Sequence, residues 1–301
     1  MGLKPRASNF RLSGIRLMSQ ASLAFSLMVI GVKGASATLP ALEVVFFRSL
    51  FGSLLMAGLM LWKKVSFTGK LKERKLLLLR SLAGFLALTL HFYTMSVLPL
   101  GTAVILNYTG PVFVALLASL FLGERPGMFL AAMIFVSFSG VYFLIQPQFR
   151  LDPSQNMAVF LAILSGFFSA VAVLAIRAIG RRESPLTVIF YFTGVSTLGS
   201  LLYLPFGFRW PGFREWFFLS FVVIGSFYGQ IWMTLAYRRA PASLVSPFAY
   251  LTPLLSFFYG LAFWKEALTP RNVLGVFLIT LGGMLISIVE SRRGPVLTAS
   301  E

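Results

Sequence analysis

Three basic or titratable side chains fall inside long apolar stretches of the sequence: Lys33, Arg48 and His91. A charge within a bilayer is costly and normally faces protein interior or water, so each is a candidate for holding an anionic group of a substrate. Arginine grips a carboxylate through two parallel bonds, lysine acts as a point charge, and histidine titrates near neutral pH. Each lies roughly 10 Å below the outer end of its stretch, at about 1.5 Å per helical residue. The alternative roles are structural. Glu43, one turn above Arg48, would neutralise it, Lys33 would snorkel outward, and His91 would bond a backbone carbonyl.

Two tyrosines, Tyr108 and Tyr250, stand three residues before Pro111 and Pro253. A tyrosine offers a ring to stack a planar substrate and a hydroxyl to orient it, and Asn107, Gln230, Trp232 and Ser246 add polar or stacking groups nearby. Pro111 and Pro253 each remove a backbone donor, which makes them candidate hinges or static kinks. Glu124 and Glu266 end one apolar stretch and precede the next, where a following helix's N-terminal dipole favours a carboxylate. Their expected role, like that of Glu43, is structural.

Other chemistry is poorly supplied. Cysteine is absent, so there is no disulfide framework, thiol nucleophile or thiolate metal site. There is one His, and nearly all of the 9 acids lie at the ends of apolar stretches. Gly69-Lys70 is followed by Leu71 and lacks the upstream glycine of a phosphate loop. The expectation is no enzyme, no metal and no cofactor. The formal charge of +17 is dispersed in short segments between apolar runs. That pattern suits lipid headgroups and membrane insertion rather than nucleic acid.

The elements that must position these residues are membrane spans. Of 301 residues, 57% are hydrophobic and 12% charged, with a mean hydropathy of +0.85, too apolar for a soluble chain of this size. A hydrocarbon core of ~30 Å needs about 20 apolar helical residues. Spans are expected at Ile15–Ala37, Leu42–Trp62, Leu76–Leu98, Thr102–Leu122, Gly127–Ile145, Met157–Ala178, Leu186–Leu204, Trp216–Tyr237, Ser243–Phe263 and Asn272–Ile288. The basic start and Ala35-Ser36-Ala37 imitate a cleaved signal peptide, but the apolar stretch is too long for a signal core.

Of the 26 Lys and Arg, only Arg150, Arg209, Arg214, Lys265 and Arg271 fall outside if the N-terminus is cytoplasmic, and Lys33 and Arg48 lie within spans. The remainder fall inside, Arg80 among them, so both termini are expected in the cytoplasm.

An offset of 142 residues, as from Tyr108 to Tyr250, superposes the third to fifth spans on the eighth to tenth without gaps. Phe85, Pro99, Tyr108, Pro111, Phe121, Glu124, Phe135 and Gly140 meet Phe227, Pro241, Tyr250, Pro253, Phe263, Glu266, Phe277 and Gly282. Five spans per half invert the second half relative to the first, an arrangement that builds one midplane site able to open to either side.

With Phe47-Arg48, then Leu98 to Ala103, Pro111 to Val114 and Leu122-Gly123-Glu124-Arg125, the chain resembles the EamA-type branch of the drug/metabolite transporter superfamily. The second half adds Ala240-Pro241-Ala242-Ser243, Pro253 and Trp264-Lys265-Glu266; Lys265 and Ala267 depart from the Gly-Glu-Arg pattern of the first. The resemblance implies an all-α membrane protein of ten transmembrane helices, in two inverted five-helix repeats around a central cavity. It implies transport of small metabolites by alternating access, without ATP, from a class including amino acids, nucleosides, S-adenosylmethionine and riboflavin.

The expected organisation is a basic segment at 1–14, a first repeat at 15–146, an external linker at 147–156, a second repeat at 157–290 and a cytoplasmic tail at 291–301. The expected function is a carrier or exchanger in a bacterial inner membrane. Its partners are a small-molecule metabolite, membrane lipids and a coupling proton or counter-substrate. A channel or a non-transporting structural membrane protein is the alternative.

Overall fold

Among the described residues there are ten delimited α-helices and two short 3-10 turns, with further helical residues at 110, 112–114, 116–117 and 248–249, and no strand occurs. The structure is a computed structural model and describes residues 4–110, 112–114, 116–117, 128–145, 153–180, 182–239 and 248–292. Pro111, Glu124 and Ser246 lie outside them. The helices are α1 (Lys4–Ala35), α2 (Ala41–Trp62), α3 (Arg74–Val97), α4 (Leu100–Asn107), α5 (Met128–Ile145), α6 (Pro153–Ile179), α7 (Pro185–Leu201), α8 (Phe213–Arg239), α9 (Leu251–Trp264) and α10 (Pro270–Arg292).

Proline sets many of the starts. Pro40 and Pro99 precede α2 and α4, and Pro153, Pro185 and Pro270 open α6, α7 and α10. In a first turn the missing N–H has no helical partner to lose, and φ is already fixed. Ser184 completes the start of α7 by accepting the Leu186 N–H at 3.3 Å.

The surface is apolar and the interior holds small hydroxyls. Phe135 and Phe258 are 73% and 71% exposed, and Leu61 and Leu54 also point outward, as suits a lipid-facing sheath. Ser81, Ser200 and Ser256 are buried and each donates to a carbonyl one turn earlier. That satisfies the hydroxyl within its own helix and lets neighbouring backbones come close. The protein is an integral membrane protein. Five segments (Leu12–Ala35, Ala41–Trp62, Leu71–Val97, Gln155–Ile176 and Phe213–Ala236) combine spanning length with high mean hydropathy. The apolar stretches of the other helices are shorter than these five; Pro185–Leu201, for example, has 17 residues, or ~25 Å of helix.

Two expected spans are interrupted. Instead of continuing from Thr102, α4 ends at Tyr108 (φ −73°, ψ 8°), and α9 begins after Tyr250 (φ −67°, ψ −7°). Pro253 therefore sits in the first turn of α9, where its missing donor is tolerated, not in the middle of a span.

Helices of the first five pack mainly against helices of the second five. The largest pairings are α1 with α8, α3 with α6 and α5 with α10, followed by α2 with α7, α3 with α7 and α4 with α9; smaller ones join α1 to α9, α2 to α8 and α4 to α6. Glycines set the closest approaches. A methyl built on Gly140 would lie 2.7 Å from the Gly275 carbonyl oxygen and 2.8 Å from the Ile279 nitrogen. One on Gly282 would lie 2.9 Å from the Met133 carbonyl oxygen and 3.2 Å from the Ser137 Cβ. Only glycine lets α5 and α10 touch at these points.

Candidate functional site

A small, half-open pocket with room for about one water molecule lies between α2, α7 and α8. Helical spacing builds each wall: Arg48, Gly52 and Met56 form one stripe of α2, Ile189 and Thr193 one of α7, and Ser226, Phe227 and Gln230 one of α8. Its lining offers one cation, three neutral polar groups and several apolar side chains.

Arg48 is the charge of this cavity. It is 3% exposed, and its Nε and Nη1 have no hydrogen-bond partner. Its guanidinium carbon lies 5.2 Å from the centroid of the Phe192 ring on α7, and that of Arg80 lies 4.2 Å from the same centroid. Arg80, grouped by sequence with the inner basic residues, is itself only 6% exposed, and its Nε also lacks a partner. Gly84, one turn further along α3, makes this possible: a side chain there would collide with Arg80 Nη1 and lie 3.0 Å from the Phe192 ring. Burying an unpaired ion costs several kcal/mol even after relaxation, whereas a desolvated cation–π contact returns about 2 kcal/mol. One ring does not offset two guanidinium groups.

Glu43 does not supply the missing charge. Its Oε1 accepts the backbone N–H of Arg209 at 2.8 Å, and among the described residues no ion pair joins it to Arg48. Side chains lean toward the helix N-terminus, so from the first turn of α2 Glu43 reaches the loop beyond the helix. Lys33 is also engaged elsewhere. Its Nζ donates to the Leu98 carbonyl at 2.7 Å and lies 3.4 Å from Glu266 Oε1. Glu266 accepts the Leu100 N–H through both oxygens, at 3.0 and 2.8 Å, so it caps α4 rather than the helix that follows it. The first N–H groups of a helix have no internal acceptor, and its positive end favours a carboxylate.

The remaining sequence candidates are spread through the bundle. His91 is buried on α3 with no hydrogen-bond partner at Nδ1. Asn107 donates to Ser165 Oγ at 2.7 Å, tying α4 to α6. Trp232 stacks on Tyr228, with centroids 5.2 Å apart, and packs beside Met18 and Ala21 of α1. Tyr250 is 1% exposed; its hydroxyl donates to the Tyr108 carbonyl at 3.3 Å and their rings are 5.5 Å apart. Of the residues singled out by sequence, the cavity brings together Arg48 and Gln230. Thr193, Ser226 and Arg80 were not singled out: small hydroxyls are common throughout these helices, and Arg80 reads as an ordinary flanking charge.

Both ends of α2 are tied across the halves. At the N-terminal end of α2, the Glu43–Arg209 bond is joined by Thr38 donating to Glu215 at 2.7 Å. Beyond the other end of α2, the Lys70 N–H donates to Glu183 Oε1. Arg182 pairs with Glu73 at 3.1 Å, Thr187 donates to the Ser66 carbonyl at 3.0 Å, and Tyr191 donates to the Thr68 carbonyl at 2.7 Å. With 22 residues, α2 holds the two sets ~33 Å apart.

A membrane-embedded, all-helical bundle with a small pocket beside a buried, unpaired cation fits a membrane transport protein. The profile of the EamA-like transporter family matches residues 12–146 and again residues 156–288, and the chain belongs to that family. The Pseudopaline exporter CntI of Pseudomonas aeruginosa is 34% identical over 283 residues, which cover 94% of this chain and 98% of that one. An uncharacterized transporter of Helicobacter pylori is 27% identical over 288 residues, covering 93% and 96%. A solved crystal structure covers 96% of this chain and 98% of its own with a TM-score of 0.62 at 18% identity, a likeness of fold.

Proposed function

We propose that the protein is a secondary carrier or exchanger of a small organic metabolite in a bacterial inner membrane, working by alternating access between two inverted five-helix repeats. The observation that carries this reading is an exchange relation among contacts. Assign α1–α5 to one repeat and α6–α10 to the other: α1 with α8 becomes α6 with α3, and α2 with α8 becomes α7 with α3, each of which occurs. The glycines obey the same rule, since Gly140 meets residues 275 and 279 while Gly282 meets residues 133 and 137. Self-complementary contacts of this kind accompany a two-fold axis, and inverted repeats about such an axis give a site two mirrored routes of access.

The end ties supply the gates. Glu43 holds a backbone N–H of the α7–α8 loop, and Glu183 holds one of the α2–α3 loop. Exchanging the repeats exchanges the two latches. Substrate would sit at Arg48 and Gln230 between them, with Tyr108 and Tyr250 as a pivot near the axis and Pro253 as a restart point beside it. The exporter among the relatives supports a metabolite substrate.

Counterflow in proteoliposomes tests this. Uptake of a labelled amino acid, nucleoside or adenosylated compound should saturate and accelerate when the same compound is preloaded inside. Linear, unsaturable flux without trans-acceleration would make the protein a channel, and no flux for any of the panel would leave a structural role.

A further inference from the structure

We propose that the buried guanidinium pair of Arg48 and Arg80, gathered around the Phe192 ring, selects a metabolite carrying two negative charges, with a carboxylate held by Arg48 and a second anionic group answered by Arg80. The inference rests on the carrier reading above and deepens it. Both guanidinium carbons lie within 5.2 Å of one ring centroid, both side chains are more than nine-tenths buried, and both keep nitrogens without a hydrogen-bond partner. Among the described residues, neither has a carboxylate at ion-pair distance.

Arginine stays protonated at any physiological pH, so this part of the bundle carries two positive charges that no acid among the described residues answers. Buried charges are ordinarily paired. Nearby acids exist but are turned away: Glu43 is committed to the Arg209 N–H and Glu73 to Arg182. The void lies against Arg48, and the neutral groups beside it, Thr193, Ser226 and Gln230, can orient an anion without cancelling its charge. Gly84 keeps the place that Arg80 occupies clear. An occupant bearing two anionic groups completes the charge balance.

Three probes of similar shape separate charge from packing: phenylsuccinate, 3-phenylpropionate and phenylsuccinamide. Each would be titrated against the purified full-length protein in detergent, reading the rise in Tm with concentration. Phenylsuccinate should bind at least ~10-fold more tightly than 3-phenylpropionate, and the diamide more weakly than both. Losing a charge-assisted bond corresponds to roughly 10- to 150-fold in affinity. Arg48→Gln and Arg80→Gln should each weaken phenylsuccinate by that factor and abolish its advantage over the monoacid. Should either variant fold poorly, Arg48→Lys keeps the charge and loses the fork, so it should retain the order diacid, monoacid, diamide at reduced affinity.

Equal affinity for diacid and diamide overturns the proposal, as does unchanged phenylsuccinate binding in both glutamine variants or the absence of stabilisation by any probe. Charge-dependent binding without counterflow would remove the carrier reading and leave the site. Counterflow of neutral metabolites that phenylsuccinate does not inhibit would do the reverse.

Discussion

Tyr250 donates its hydroxyl to the backbone carbonyl of Tyr108 at 3.3 Å, and the two residues are separated by the same 142 positions that relate the halves of the sequence. Two residues exchanged by a two-fold axis can touch only beside that axis, so this contact is where an axis would pass. The pair is not symmetric. Tyr250 is seated where a side chain on Gly283 would collide with its hydroxyl, and the position equivalent to Gly283 in the first half is the buried Val141. With a branched side chain there, Tyr108 cannot take the same seat and stays half-buried. Helix interruptions at both tyrosines place irregular backbone in the protein interior, the one setting a membrane tolerates.

On the proposed alternating-access reading, the two latches should bias the protein in opposite directions. Glu43→Ala removes the acceptor for the Arg209 N–H and Glu183→Ala that for the Lys70 N–H, each a charge-assisted bond of about 1.5–3 kcal/mol. A reporter Ser226→Cys in the cavity should then react roughly 10-fold faster with impermeant thiol reagent from outside in the Glu43 variant and from inside in the Glu183 variant. Acceleration from the same side in both would refute paired gates.

Gly140→Ala and Gly282→Ala should cost similar stability, about 1–3 kcal/mol each, because each methyl would overlap the backbone of the facing helix. Once one methyl has separated α5 from α10, the second has less to push against, so the double variant should lose less than the sum. Tm values of the three purified variants check this, and a neutral single substitution would contradict the close approach.

Glu266→Ala should lower stability by about 1–2 kcal/mol, the usual cost of losing an N-terminal cap, since its carboxylate accepts the first N–H of α4 through both oxygens. Lys33→Gln should cost less, because its Nζ stands 3.4 Å from that carboxylate and the cap survives without it. A double-mutant cycle on Tm should show coupling between the two. Additive losses would mean that Lys33 acts through the Leu98 carbonyl instead.

From the basic residues we propose that both termini lie in the cytoplasm. Single cysteines at Ser66→Cys and Ser291→Cys should resist an impermeant reagent applied to intact cells, and Ser154→Cys should react. Rapid external labelling at Ser66→Cys would invert the arrangement and with it the assignment of the two latches.

The membrane class, the near positions of the helices and the family pattern were legible in the sequence because each depends on local quantities: run length, hydropathy, proline placement and spacing. The offset between the halves was legible for the same reason. Which charges remain unanswered was not. Lys33, Arg48 and His91 look alike as basic residues in apolar runs, yet Lys33 meets Glu266 and the Leu98 carbonyl, whereas Arg48 has no carboxylate at ion-pair distance among the described residues. Arg80 looked like a flanking charge and is buried beside Phe192. Glu43 was one turn from Arg48 in sequence but binds a loop residue 166 positions away. Pairing of charges is decided by which helix faces which, and by whether a residue such as Gly84 leaves room. Those are properties of the packed bundle, where a rotation of one helix exchanges a lipid-facing side chain for a cavity-lining one.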